Sequence, residues 1–335
     1  MNIYLKYVIS LSSLFSIIST NSYVPIIAIV SLPEPTNQIV IEKTQVMAHY
    51  VKWIEIAGGK TIAIHPWMND DELKIIFGKV NGFLWQGGGK ELDLNDQYEI
   101  FTKKILVKII ELKFVHNISI PLWTTCLGFE LLSMFYANTH DVLSSFNSYN
   151  LQSPLIFNET IIENSRMFSY FSKEDLNNLK NRNTTAHFHH KGVNVENFEK
   201  YPFLNQTFKI TSYGVGLDKN NTSIESFEAY DYPLYGVQFH PEKIASDYIA
   251  SHEIPQSPEA IRTSNNLAIF FVNEAKKNNN IFKEEDKKTF DFIDMYNTKF
   301  ENKSGNMVVY YNKNSTNTSN NFVRLNHNHN IKFLE

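Results

Sequence analysis

The chain has 335 residues and 43% hydrophobic content, enough for a large core in one or two domains. A net charge of −4, a pI near 6.3 and scattered lysines, with no Arg/Lys stripe among aromatics, exclude the footprint of a nucleic-acid-binding protein. One cysteine, Cys126, excludes an internal disulfide, so stability must come from packing.

The N-terminus combines positive charge at Lys6, an apolar run over Tyr7 to Ile18 and small residues at Thr20-Asn21-Ser22. This layout predicts a secretory signal peptide over residues 1–22. The run is short against the roughly 20 residues a bilayer span needs, and nothing else in the chain reads as transmembrane. Asn-x-Ser/Thr sequons occur at Asn117, Asn158, Asn183, Asn205, Asn220, Asn221, Asn302, Asn314 and Asn317. They fit a secretory route, extracellular or lysosomal/vacuolar. In so Asn-rich a chain, roughly five would arise by chance, which makes them weak support.

Past the signal, Pro25 to Val30 reads as a buried strand. Lys43 to Ala57 carries apolar residues at helical spacing and stops at Gly58. Thr61–Ile64 is the next strand, and Asn69-Asp70-Asp71-Glu72 has the form of a capping box ahead of an apolar run. Gly82–Gln86 is a third strand, ending in Gly87-Gly88-Gly89, and Asn95–Leu112 is a long amphipathic helix. Ile118–Thr125 reads as the strand before Cys126 and Leu127–Tyr136 as the helix after it. Further strands are expected over Thr207–Gly216, Ser223–Ala229, Leu234–Phe239 and Met307–Tyr311, and a final helix over Ser257–Lys277. Alternating strands and helices predict an α/β fold, a mostly parallel central sheet covered on both faces. Residues 23–311 form the expected folded domain, and 312–335 a low-complexity, disordered tail.

Two motifs carry chemistry. Cys126 stands where a β-prone run turns into a helix, the setting in which hydrolases expose a nucleophile. The bland alternative is a small buried hydrophobe. Far downstream, Tyr235-Gly236-Val237-Gln238-Phe239-His240-Pro241-Glu242 brings His240 to a strand end with Glu242 close behind. A thiol needs a base or an electropositive setting to become a thiolate, and a carboxylate can orient that base.

Together, Cys126-Leu127-Gly128-Phe129-Glu130 and Gly236-Val237-Gln238-Phe239-His240-Pro241-Glu242 resemble the paired signatures of the class I glutamine-amidotransferase-like superfamily. Within it the chain is most similar to gamma-glutamyl hydrolases, over Pro25 to about Asn278. The resemblance implies a flavodoxin-like three-layer sandwich and hydrolysis of folate poly-γ-glutamates. It implies Cys126 as nucleophile, His240 as base and acid, and Glu242 as the third triad member. It implies an oxyanion hole from the N–H groups of Gly88 and Leu127, and Tyr50, Glu130 and His189 as residues lining the substrate site. No metal or organic cofactor is implied, and a homodimer is. Lys52, Lys90, Arg166 and Lys191 are candidate contacts for a polyanionic substrate. Thr124 departs from the family, which usually has glycine there, and a β-branched residue would be expected to crowd the turn. The other readings are a glutaminase-type enzyme and a secreted binding protein that keeps the fold without activity.

Overall fold

The computed structural model describes residues 23–33, 43–217, 222–247, 249–288, 290, 292–293, 299–300 and 307–312. The expected signal peptide, the sequons from Asn220 onward and all but the first residue of the expected tail lie outside these residues.

In chain order the strands are β1 Ile26–Val30, β2 Leu32–Pro33, β3 Lys43–Met47, β4 Lys60–Ile64, β5 Gly82–Trp85, β6 Leu122–Thr125 and β7 Leu143–Ser153. They continue with β8 Ile156–Phe157, β9 Thr185–Val193, β10 Phe208–Val215, β11 Thr222–Ala229, β12 Leu234–Val237, β13 Lys299–Phe300 and β14 Met307–Asn312. The central sheet has the order β4-β1-β5-β6-β12-β11-β10-β8. From β4 to β12 every pairing is parallel, and β11, β10 and β8 extend the sheet antiparallel. This is the expected mostly parallel α/β architecture.

Period-two alternation sends successive residues of β1 to opposite faces. Ala28 and Val30 join one buried cluster with Phe83, Trp85 and Ile105, while Ile27 and Ile29 join the other with Leu84, Trp123 and Phe271. Both faces are therefore dry, which is why the parallel strands read as continuous apolar runs. Helices Gln97–His116 and Leu127–Ala137 supply the first cluster, and helices Ala48–Ile56 and Pro258–Ala275 the second.

Local signals hold in detail at the Asp70–Phe77 helix. Asn69 accepts from the Glu72 N–H at 3.0 Å, and Glu72 accepts from the Asn69 N–H at 2.8 Å, a reciprocal capping box. One expectation fails. Lys43–Met47, read as the start of a helix, is strand β3, and the helix begins only at Ala48. The cause is tertiary: β3 pairs antiparallel with β2 and β14, and Gln86 accepts from the Met47 N–H while donating to the Gln45 carbonyl. A second feature, the antiparallel β7–β9 pair, was not read from the sequence.

Candidate active site

Strands β5, β6 and β12 are neighbours and parallel, so their carboxyl ends lie on one edge of the sheet. Gly87-Gly88, Cys126 and His240 follow those three ends, the edge where open α/β sheets bind ligands.

Cys126 has φ 50° and ψ −107°, a strained conformation for a residue with a side chain. Its N–H donates to the Val237 carbonyl at 2.9 Å, and its own carbonyl accepts from the Glu130 N–H, the first bond of the Leu127–Ala137 helix. Gly128 allows that helix to approach the sheet, because a Cβ there would stand 2.6 Å from the Trp85 carbonyl oxygen. The thiol thus projects from a sharp strand-to-helix turn at a helix N-terminus. The Leu127 N–H is directed at the sulfur and favours a thiolate. Burial acts the other way, aided by Glu130 and Glu242, and pushes the thiol pKa well above its ordinary value. The balance disfavours the thiolate in the free enzyme.

His240 is fixed at both ends. Its backbone N–H donates to the Ala186 carbonyl at 2.8 Å, and its Nδ1 lies 2.7 Å from Glu242 Oε1. Burial works against ionised Glu242, but His240 and Lys243 outweigh it and hold the carboxyl below its usual range. A carboxylate can only accept, so Nδ1 carries the proton and Nε2 is left as the basic nitrogen. Nε2 is buried and has no hydrogen-bond partner.

Gly87 joins these groups. A Cβ at this position would lie 2.8 Å from His240 Cε1, 2.9 Å from the Tyr50 hydroxyl and 3.1 Å from Cys126 Cβ. Its N–H donates to Tyr50 Oη at 2.7 Å and is occupied. Tyr50 thereby supports the glycine turn that borders the cavity, and its pKa is raised by burial and by nearby Glu242.

A cavity of about 900 Å³ opens over this centre. Gly88, Cys126, Leu127, Glu130, His189 and His240 line it, and Glu242 lies behind His240. Glu130 accepts from Gln238 Nε2 at 3.0 Å, and burial raises its pKa to about 7. Burial likewise holds His189 down to about 4, as a neutral imidazole. Among the candidate cations, Lys52 and Lys191 border the cavity. Lys90 borders it too but is paired with Glu99 at 2.8 Å, and Arg166 is held away by Glu228 and the carbonyls of Ala229 and Tyr232.

Sequence reasoning missed Gln238 and Lys243. Alternation along β12 and beyond puts Gln238 on the same side as His240, a signal present but not used. Lys243 is buried, bridges to Asp247 at 2.8 Å and lies 5.0 Å from the Phe188 ring centre. Nothing local in the sequence announces that burial.

The Peptidase C26 family matches residues 25–242 of the chain. Gamma-glutamyl hydrolase of Rattus norvegicus is 35% identical over 269 residues, covering 80% of this chain and 83% of that protein. Gamma-glutamyl hydrolase of Mus musculus is 36% identical, covering 75% and 78%. Gamma-glutamyl hydrolase B of Dictyostelium discoideum is 32% identical over 319 residues, covering 93% and 90%.

Proposed function

The chain belongs to the Peptidase C26 family and is an enzyme of gamma-glutamyl hydrolysis, and from that premise we propose that it cleaves folate poly-γ-glutamates through a thioester on Cys126. The observation that carries the mechanism is the crowding of Cys126 and His240 around one glycine, Gly87, at the mouth of the cavity.

The steps follow from the protonation states. His240 Nε2 takes the thiol proton as sulfur attacks the γ-carbonyl carbon and the C–S bond forms. The developing oxyanion is held by the N–H groups of Gly88 and Leu127, each such donor being worth about 3 kcal/mol. Nε2–H then protonates the leaving glutamate nitrogen, and the C–N bond breaks. Water, deprotonated by the same nitrogen, hydrolyses the thioester. Glu242 keeps Nδ1 protonated throughout. Glu130, at neutral pH close to half ionised, and His189 contact the substrate, and Lys52 and Lys191 attract its carboxylates.

Residues 1–22 act as a signal peptide and residues 23–311 as the catalytic domain, while β14 runs one residue further, to Asn312. The protein enters the secretory pathway and works outside the cell or in the lysosome or vacuole, as a homodimer. Among the described residues no helix is long and apolar enough to cross a membrane.

Incubation of purified protein with a poly-γ-glutamyl folate and, separately, with free glutamine tests the reading. Cleavage of the folate that disappears in Cys126→Ala supports it. Release of ammonia from glutamine alone, or undiminished cleavage by Cys126→Ala, overturns it.

A further inference from the structure

Beside the active-site cavity lies a buried cluster of which only His189 also borders the cavity, and whose other two members the hydrolysis does not use. His187 and His189 project from the same face of β9, and Glu225 projects from β11. All three are at most 3% exposed. Gly214 makes room for the carboxylate, since a Cβ there would stand 2.8 Å from Glu225 Oε1.

The hydrogen-bond network assigns the protons. Thr185 donates its hydroxyl hydrogen to the Ser153 carbonyl at 2.7 Å, and Ser153 donates its own to the Pro154 carbonyl at 3.0 Å. Both oxygens can then only accept from His187 Nε2, which lies 2.7 and 3.2 Å from them. His187 Nε2 therefore carries hydrogen, and in the neutral ring Nδ1 is bare, 3.3 Å from Glu225 Oε2. His189 Nδ1 donates to the Lys191 carbonyl at 2.8 Å, so its Nε2 is also bare, 3.9 Å from Glu225 Oε1.

With both rings neutral, two lone pairs thus face one carboxylate, whose Oε1 accepts from the Ser223 hydroxyl and whose Oε2 pairs with His187 only when that ring is charged. His189 Nε2 and Glu225 Oε2 are buried and have no hydrogen-bond partner. An extra proton on His187 would join His187 to Glu225 but leave His189 Nε2 orphaned, a cost of about 1–3 kcal/mol for a buried polar group. One cation would satisfy all three atoms, which lie within 4.8 Å of one another. Donation of the other ring nitrogen to a carbonyl or hydroxyl is how metal-bound imidazoles are held.

We propose that His187, His189 and Glu225 bind a divalent transition metal of the zinc type. Two imidazoles and one carboxylate suit that ion, whose bonds of about 2.0–2.2 Å set tetrahedral ligand atoms about 3.4 Å apart, so the widest pair, up to 4.8 Å apart, must close by about an ångström or more on binding. His189 borders the cavity and gives the ion an entry path. The ion takes no part in the Cys126 chemistry, and although His189 is shared with the proposed substrate contacts, metal uptake is read directly and so fails or succeeds distinguishably from folate cleavage.

Full-length protein, purified without metal affinity and stripped with chelator, is titrated with Zn²⁺ by calorimetry and with Co²⁺ by absorption. One equivalent is expected to bind, with tetrahedral d–d bands and no sulfur-to-cobalt charge-transfer band. Cys126→Ala is expected to bind equally. Glu225→Gln and His187→Asn are expected to bind about 100-fold more weakly, since even outer-shell changes weaken metal sites by about 10–100-fold. Absence of uptake by the wild type overturns the proposal, as does a thiolate charge-transfer band or undiminished affinity in folded Glu225→Gln. The wild-type spectra decide the matter even where a variant fails to fold.

Discussion

Thr124 and Gly236 sit opposite each other across the β6–β12 pair, and the absence of a side chain at Gly236 makes room for the threonine. A Cβ on Gly236 would stand 2.9 Å from Thr124 Oγ1, 2.7 Å from Phe227 Cε2 and 2.9 Å from Phe129 Cδ2. Thr124 is fully buried and donates its hydroxyl to the Tyr235 carbonyl at 3.1 Å. The threonine, expected from its β-branched side chain to crowd the turn, therefore fits within the strand pair, two residues before the thiol.

It follows that Thr124→Gly will lose stability and gain no activity. Removing the hydroxyl and adding backbone freedom in a strand should cost about 1–2 kcal/mol. Gly236→Ala should cost about 1–3 kcal/mol through overpacking. Urea unfolding measures both. A tenfold rise of kcat/KM in Thr124→Gly would show that the threonine does obstruct the site.

Glu242→Gln should lower kcat by about tenfold or more while leaving KM nearly unchanged, because an amide can donate to Nδ1 and put the proton on the wrong ring nitrogen. Steady-state kinetics beside a circular dichroism control checks this. Activity within twofold of wild type would reduce Glu242 to a structural role.

Because Cys126 is the only cysteine, whole-protein mass reports its alkylation directly. Its raised pKa predicts slow reaction with iodoacetamide at pH 7 in the free enzyme and faster reaction as pH rises. Rapid alkylation that stays constant down to acid pH would instead reveal a resting thiolate–imidazolium pair.

Glu130 gives the protein a pH-dependent stability term. Its folded pKa of about 7 lies above the ordinary 4.5, so the folded state holds the proton more tightly. The stabilisation is complete below pH 4.5 and is lost as pH rises through 7. The shift corresponds to about 3 kcal/mol. Glu130→Gln should lack this slope, so its stability relative to wild type should improve between pH 4.5 and 8. Parallel urea curves for the two proteins at both pH values would exclude the effect.

Much of the site was legible because its local signals are strong. The strand–turn–helix around Cys126, the glycines after β5 and the His240-Pro241-Glu242 segment each announce themselves within a few residues. The Asn69 capping box did the same for its helix. Lys43–Met47 misled because its apolar spacing suits a helix while two distant strands recruit it to a sheet. The hydrogen bond by which Tyr50 accepts from the Gly87 N–H joins residues 37 positions apart and has no local signal. Arg166, a plausible cation by charge alone, is used up by Glu228 and two carbonyls.

The sequence by itself determined the alternating strands and helices of the parallel sheet, the thiol at a turn and the kinship with gamma-glutamyl hydrolases, since propensity, periodicity and short motifs act over a few residues. Only the tertiary structure decided that β5, β6 and β12 are adjacent, that Glu130 meets Gln238, and that His187, His189 and Glu225 are buried within 4.8 Å of one another. Those relations depend on strand order and burial, which are set by long-range pairing and by the exclusion of water from both faces of the sheet.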